Sequence, residues 1–492
     1  MTNVVQTFDN ISNRLTMYKS VLYGLLSLVV VADILAFLDI IGINPVGLII
    51  SAVTLGVSCY VANWIFARLF HATENSESWL ITALILACIL NPRVSWSFVL
   101  LAALCGAIAM ASKYLITWRH SHILNPAATG AFVVSVTGLL SANWWIATPN
   151  LLPVTIVLAL LVLRKQRKFT VFFVFAATAL VTMLLVNIGQ GQATTDVLRN
   201  AFLSWPIVFL GSVMLTEPTT LPSDRYYQLL VAVVVGGIFA SQLHFGPVHA
   251  APHTALLIGN LLAAVLVPPF GALLRLTKVS APAPDTMELV FDKPKGLRFI
   301  AGQYMEWTLG HKNADVRGNR RTFSIASAPA EDNIRLTVRT FEKGSSFKRA
   351  LSQLKPGSKL RIANISGQFI LPPTKQKLLL IAGGIGITPF RSMIAQLVAT
   401  KQHRDIALVY LATTEQHFVY KDLFKQATAL GVKTTYVIDR MNDEGLRAAV
   451  PDLRERQVMV SGPSGMVNHY SQVLRSMGVK RSAIHKDHFS GY

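Results

Sequence analysis

Leu378-Leu379-Leu380-Ile381-Ala382-Gly383-Gly384-Ile385-Gly386-Ile387-Thr388-Pro389 is the stretch whose reading decides the fold. A short continuous apolar run that stops at glycine reads as a strand buried on both faces, as in a parallel sheet. The glycines then let a pyrophosphate approach the backbone, and a helix opening at about Pro389 offers its N-terminus to that charge. Outward from this point, residues 406–411 and Val458-Met459-Val460 read as further strands, with helical segments between them. Residues 374–492 are therefore expected to form a doubly wound α/β domain, with a ligand crevice at the carboxyl ends of its strands. Upstream, Met287-Glu288-Leu289-Val290-Phe291, Gln303-Tyr304-Met305-Glu306-Trp307 and Ile334-Arg335-Leu336-Thr337-Val338 read as short alternating strands. They predict an antiparallel β-barrel over residues 276–373.

Before about residue 275 the chain changes solvent. Mean hydropathy of the whole is +0.46 and charged residues make up only 14%, against roughly 25% in soluble proteins. A membrane helix needs about 20 mostly apolar residues. About ten candidate spans result: 20–43, 46–70, 78–92, 95–117, 127–147, 149–163, 169–188, 203–216, 227–244 and 252–270. The expected architecture is a polytopic α-helical membrane bundle over residues 1–275, followed by the barrel and the α/β domain.

Charge orients this arrangement. The net charge is +20, of which residues 1–275 carry +5 and the remainder +15. With the N-terminus inside, inner loops hold Arg68, Lys113, Arg119, the run Arg164-Lys165-Gln166-Arg167-Lys168, Arg225 and Arg275. Outer loops hold only Arg93 and Arg199. By the positive-inside rule the C-terminal half is expected in the cytoplasm of a multi-pass protein of the cell membrane. A basic domain at that surface attracts anionic lipid and dinucleotide phosphates. No DNA- or RNA-binding motif appears, so nucleic acid is not an expected partner. Cys59, Cys88 and Cys105 all lie in apolar runs and give no disulfide framework, iron–sulfur pattern or other metal site. The N-terminal segment is too polar to read as a cleaved signal peptide. Asp33 and Asp39 both fall within the first candidate span, where an ionisable side chain is a functional candidate.

Residues 276–492 resemble the ferredoxin-NADP reductase superfamily throughout. Arg321-Thr322-Phe323-Ser324 matches its Arg-x-Tyr/Phe-Ser/Thr flavin motif, Gly344-Ser345-Ser346 is similar to its second phosphate loop, and Gly302-Gln303-Tyr304 to the strand before the flavin motif. The resemblance implies FAD, with Arg321 on the flavin phosphate, Phe323 against the ring system and Ser324 at N5. It implies a nicotinamide cofactor held by Gly383, Gly384, Gly386, Thr388 and Pro389, with Ser461-Gly462-Pro463 near the nicotinamide and the terminal Phe489-Ser490-Gly491-Tyr492 closing the set. Ser324, Ser461 and Tyr492 are the expected catalytic side chains. Ser461 stands where the family often has Cys. The segment Ala412-Thr413-Thr414-Glu415 lacks the Arg of NADP-specific relatives, which favours NADH, although Lys421 and Arg440 can substitute.

Residues 1–275 resemble the D subunit of the Rnf electron-transport complex and the B subunit of the sodium-pumping NADH:quinone reductase. The carriers are Ser112-Lys113-Tyr114, His122-Ile123-Leu124-Asn125-Pro126-Ala127-Ala128, Met214-Leu215-Thr216-Glu217-Pro218-Thr219-Thr220 and Leu257-Ile258-Gly259-Asn260. The breaks at Asn125-Pro126 and Thr216-Glu217-Pro218 suit a bound flavin or an ion, since irregular backbone at bundle depth needs partners. In that family a threonine carries FMN through a phosphoester. Thr194 in the loop Gly189-Gln190-Gly191-Gln192-Ala193-Thr194-Thr195-Asp196 falls at the matching place, with Thr195 as the fallback. Here Gly191-Gln192 replaces the usual Ser-Gly, and Ile188 the upstream acidic residue.

The function these resemblances imply is a membrane flavoenzyme. It would pass electrons from cytosolic NAD(P)H through FAD to flavin in the bundle, then to a quinone or an extracytoplasmic acceptor. Two alternatives stand beside it. One is redox-driven sodium or proton translocation, using Asp33, Asp39 or Glu217. The other is a haem-type transmembrane ferric or oxygen reductase. That type needs paired histidines in two spans; the bundle's His71, His120, His122, His244, His249 and His253 lie mostly at loop edges, and no two spans carry matching inner and outer pairs.

Overall fold

A computed structural model describes residues 16–70, 77–118, 121–222, 224–312, 314–315, 318–340, 344–373 and 376–489. Tyr492, Ser490 and Gly491 lie outside the described residues, as do Arg119, His71 and His120. The chain forms two compact units that part between Phe270 and Gly271.

The first unit is helical: α1 (Met17–Phe37), α2 (Pro45–Leu69), α3 (Ser78–Ile89), α4 (Trp96–Leu115), α5 (Pro126–Val136), α6 (Leu152–Gln166), α7 (Phe169–Gly189), α8 (Thr194–Leu203), α9 (Ile207–Met214), α10 (Arg225–Ala240) and α11 (Pro252–Leu266). Caps set several starts. Asn44 accepts from Gly47 N–H at 2.9 Å and Asn125 from Ala128 N–H at 3.0 Å, each followed by proline in the first turn. Helix α2 packs on α4 and α4 on α5; α7 packs on α10 and α10 on α11. The same order thus recurs in the two halves of the bundle, with α1 against α6 and α5 against α11 joining them. Small residues allow the close approach. A Cβ on Gly130 would lie 2.8 Å from Cys105 O, and one on Gly236 2.7 Å from Phe175 O. The outward faces are also apolar, with Phe37, Leu100, Leu185 and Val265 exposed. Such a surface suits lipid rather than water.

Helices α1, α2, α4 and α7 are long and apolar enough to cross a membrane, and α8 with α9, bent by 52°, makes a fifth by length and composition. Among the described residues, four to five of the about ten candidate spans thus correspond to helices of that length. The runs at 78–92, 127–147, 227–244 and 252–270 give apolar helices of 12, 11, 16 and 15 residues. The run 127–147 shows why. Helix α5 stops at Val136, where Thr137 turns its hydroxyl onto Val133 O at 2.7 Å and Gly138 takes φ +69°. Asp33 lies within α1, but Asp39 lies past its end, at φ +56°, and so is not inside the span. Thr194 opens α8 rather than sitting in a loop.

The second unit has two sheets. The first contains β1 (Ala272–Ala283), β2 (Thr286–Asp292), β3 (Tyr304–Thr308), β4 (Arg320–Ser324), β5 (Asn333–Arg339) and β6 (Lys359–Ser366), in the antiparallel order β4-β3-β6-β1-β2-β5. Its edge strands β4 and β5 share no ladder. Two hydrogen bonds, from Ala326 N–H to Arg335 O and from Arg335 N–H to Ser327 Oγ, each 3.1 Å, tie the chain beyond β4 to β5. Where the sequence predicts a barrel, the structure has a six-stranded antiparallel sheet with these two closing contacts between its ends.

The second sheet contains β7 (Leu378–Gly383), β8 (Ile406–Ala412), β9 (Val432–Ile438), β10 (Gln457–Pro463) and β11 (Ile484–Phe489), all parallel, in the order β9-β8-β7-β10-β11. The first run quoted from the sequence is its central strand. Leu378, Leu380 and Ala382 pack with Phe390, Met393 and Ile394 on one face. Leu379 and Ile381 pack with Val467, Tyr470 and Leu474 on the other. Each fully buried Leu or Ile contributes roughly 1.5–3 kcal/mol, so a strand covered on both faces has no need of polar alternation.

Candidate functional site

Strand order reverses between β7 and β10, which in such sheets opens a crevice at the carboxyl ends. Ala382 stands opposite Ser461 in the parallel register. Helix α12 (Ser346–Ser352) follows β5; beyond β7, Gly384–Ile387 makes a tight turn that leads into α13 (Thr388–Thr400), with Pro389 in its first turn. Thr388 donates from Oγ1 to Ile385 O at 3.1 Å. Two glycines admit close packing of the turn against β10 and the segment that follows it. A Cβ on Gly386 would lie 2.3 Å from Ser461 O, and one on Gly383 2.2 Å from Met466 Sδ. Gly384 differs: at φ +52° a Cβ there meets nothing within 4 Å, so the rim of the turn is open. Ser461 is fully buried, and its Oγ has no hydrogen-bond partner among the described residues. Such a hydroxyl costs about 1–3 kcal/mol unless a ligand satisfies it. Gly462 and Pro463 complete the edge of the crevice, Pro463 ending β10.

The flavin motif lies on β4. Tyr304 pairs with Ser324, and Ile325 N–H donates to Gln303 O at 2.9 Å, so the Gly302–Tyr304 stretch and the motif are bound edge to edge. Ser324 is buried and Thr322 exposed. Arg321 donates from Nη2 to Asp315 Oδ1 at 2.8 Å and from Nη1 to Arg320 O at 2.7 Å. Asp315 Oδ2 accepts from Ser346 N–H at 3.2 Å, while Ser346 Oγ accepts from Asp315 N–H at 2.8 Å. The Asp315 carboxylate therefore stands where an anion bridges Arg321 and the Gly344-Ser345-Ser346 turn, in the manner of a phosphate. The donor set fits an anionic group on this observation. Ser345 caps α12 through Lys348 N–H at 3.3 Å. Phe347 gathers the other two members: its ring lies 6.0 Å from that of Phe323 and 5.3 Å from the Arg321 guanidinium. Asp315, Phe347 and His311, whose Nε2 is 2.9 Å from Ser346 Oγ, were not legible beforehand, because nothing in their local sequence marks them.

The loop after β8 holds Thr413, Thr414 and Glu415. His417 Nδ1 lies 2.7 Å from Thr414 Oγ1, and Lys421 pairs with Glu415 at 3.4 Å. Arg440 is exposed beyond β9.

In the helical unit, four residues quoted from three separate stretches meet. Asn125 donates from Nδ2 to Glu217 Oε2 at 2.7 Å and from its backbone N–H to Asn260 Oδ1 at 2.9 Å. His122 Nε2 is 3.5 Å from Glu217 Oε1. Thr219 and Thr220 also donate to that carboxylate, at 3.1 and 3.3 Å. Thr216 is buried and turns its hydroxyl back onto Ser212 O, in a segment of wide helical turn over Leu210–Met214. Thr216 thus serves its own backbone while Glu217 forms the junction. Thr194 and Thr195 are exposed at the start of α8, away from any such cluster. Asp33 has one buried carboxylate oxygen without a partner among the described residues.

Comparison with known proteins bears on the second unit. Residues 380–472 match the family described as the oxidoreductase NAD-binding domain. An NADPH oxidoreductase of Mycobacterium tuberculosis is 29% identical over 187 residues, covering 36% of this chain and 49% of that protein. The NADH oxidoreductase HCR of Escherichia coli is 29% identical over 190 residues, covering 37% of this chain and 58% of that protein. The chain thus spans about half the length of these curated relatives. A cytochrome P450 reductase GcoB of Amycolatopsis aligns with a TM-score of 0.40 at 22% identity, over 45% of this chain and 71% of that one. Residues 380–472 of the C-terminal unit are thus similar to oxidoreductase NAD-binding domains, within a longer stretch similar to NAD(P)H oxidoreductases.

Proposed function

We propose that the protein is a membrane-bound NAD(P)H-dependent flavin oxidoreductase. The observation that supports it most is the buried, unbonded Ser461 hydroxyl beside Gly386, at the point where the parallel sheet reverses its strand order. Gly383, Gly384, Gly386, Thr388 and Pro389 would hold the dinucleotide pyrophosphate, and Ser461, Gly462 and Pro463 the nicotinamide. Arg321 and the Gly344–Ser346 turn would hold FAD phosphate, with Phe323 against the ring and Ser324 at its edge. When bound, flavin supplies the exchange between hydride and single electrons. The chain's part is to bind, orient and exclude water. NADH is the favoured donor, because Glu415 ties down Lys421, the nearby cation.

The helical unit would carry the electrons into the membrane, through flavin near Asn125 and Thr216 and FMN joined to Thr194, toward a quinone or an extracytoplasmic protein. A hydrocarbon core of about 30 Å needs such intermediate stations. Tyr492 is retained as a catalytic candidate of this scheme. The test uses the purified full chain. It is yellow and bleaches on adding NADH; Arg321→Ala elutes without FAD and loses NADH oxidation by artificial acceptors. A colourless wild-type protein, or one indifferent to both NADH and NADPH, removes the proposal.

A further inference from the structure

The loop after the flavin-motif strand crosses directly to α13, the helix that the glycine turn opens. Arg391 on that helix is 7% exposed, and its fork grips Glu331. Nη2 donates to Oε1 at 2.7 Å, Nη1 donates to Oε2, and Nη1 also donates to Ala326 O at 3.0 Å. The next residue, Ser392, donates from Oγ to Ser327 O at 2.6 Å and accepts from Gly302 N–H at 3.4 Å. A second joint lies beside the first. Tyr420, at the head of α14 (Lys421–Ala427), donates to Glu288 Oε2 at 2.7 Å, and its hydroxyl is 2.7 Å from Thr337 Oγ1. The Arg391 guanidinium sits 5.5 Å over the Tyr420 ring. Burial opposes the charge on Glu331, and the hydrogen bonds and charge of Arg391 outweigh it, holding the carboxyl below its ordinary value. The Glu331 carboxylate therefore stays charged through the neutral range.

Three of the five bonds in the first joint end next to a motif. Ala326 and Ser327 follow Ser324; Gly302 precedes Gln303, whose carbonyl holds Ile325; Arg391 and Ser392 follow the Gly383–Pro389 turn. A greasy contact between the two sheets could slide, whereas a bidentate fork fixes distance and angle together. We infer that the Arg391–Glu331 and Ser392–Ser327 joint is a positioning device for hydride transfer, setting the spacing between the strand end that bears Ser324 and the crevice that bears Ser461. Reacting atoms must come within about 3–3.5 Å, and a 1 Å error from a remote change costs about 100-fold. The inference rests on the nucleotide sites proposed above.

The test is rapid-mixing reduction of the FAD-loaded full chain over a range of NADH concentrations. Arg391→Met with Glu331→Gln removes both charges together, so no lone buried charge is left. The expected result is unchanged FAD content and half-saturating NADH, with a limiting bleaching rate about 100-fold lower. Amide hydrogen exchange across residues 325–331 should quicken in the same protein. If the double variant fails to retain FAD, Ser392→Ala carries the test, with about a fivefold loss of limiting rate expected, since one neutral hydrogen bond contributes about 1 kcal/mol. A limiting rate equal to wild type in the FAD-loaded variant overturns the inference, whatever happens to its melting temperature. A wild-type protein that never bleaches removes the nucleotide proposal itself, a result distinct from the first.

Discussion

At Gly302 the backbone takes φ +97°, and a Cβ there would lie 2.2 Å from Phe369 O and 2.4 Å from the Met393 methyl. Gly384 shares the left-handed backbone at φ +52° but faces open space. The two separate strain from collision. Gly384→Ala should cost about 1 kcal/mol, the backbone penalty alone. Gly302→Ala should cost about 3 kcal/mol or more, because a carbonyl oxygen must also move. Thermal melting followed by release of flavin fluorescence measures both; equal losses would refute the distinction. Residues of this kind were legible in the sequence because glycine declares a backbone requirement by itself. Asp315 was not: its role depends on Arg321 and Ser346 arriving from β4 and α12, and no local pattern encodes that meeting. Arg391 was equally silent, since a basic residue on a helix ordinarily faces solvent.

At the scale of elements, the parallel strands are knotted at their amino ends. Arg456 donates from Nη1 to Leu378 O at 3.1 Å and to Asp405 at 2.7 Å, and from Nε to Asp452 at 2.6 Å. Lys377 adds bonds of 2.9 Å to Asp452 and to Glu455. Hydrogen bonds from Arg456 first, and from Lys377, outweigh burial and hold Asp452 at about 2, against an ordinary value of 3.8. The carboxyl is thus depressed in the folded state. Its contribution is present above about pH 4 and fades as pH falls toward 2. Asp452→Asn should flatten the acid limb of stability in that window and leave the slope above pH 5 unchanged; an acid limb as steep as wild type would show that other carboxylates govern it. The strands themselves were readable because each is buried on both faces. Helix lengths in the first unit were not, because hydropathy averages over breaks. Thr137 and Gly138 stop α5 in the middle of an apolar run, and the chain continues apolar beyond it.

At the scale of the whole molecule, the proposed wire requires its two ends to lie on opposite sides of a membrane. The loop charges support this: Arg164, Lys165, Arg167 and Lys168 crowd one side of the sequence pattern, and Thr194 falls on the other. The native cysteines give a quiet background for a test, since Cys59, Cys88 and Cys105 are all fully buried. Gln192 and Gln402 are exposed, the first two residues before Thr194 and the second between α13 and β8. In intact cells a membrane-impermeant maleimide should label Gln192→Cys and leave Gln402→Cys untouched until the cells are opened. The same preparation decides the flavin at the far end. In a host able to attach FMN, the peptide containing Thr194 should carry an FMN-sized mass, and Thr194→Val should remove it while NADH oxidation by artificial acceptors continues. Labelling of both cysteines from one side would place the reducing and exit ends together. Charge would then be moved along the surface rather than through the lipid, and the short helices α3, α5, α10 and α11 would need another purpose than to line a crossing.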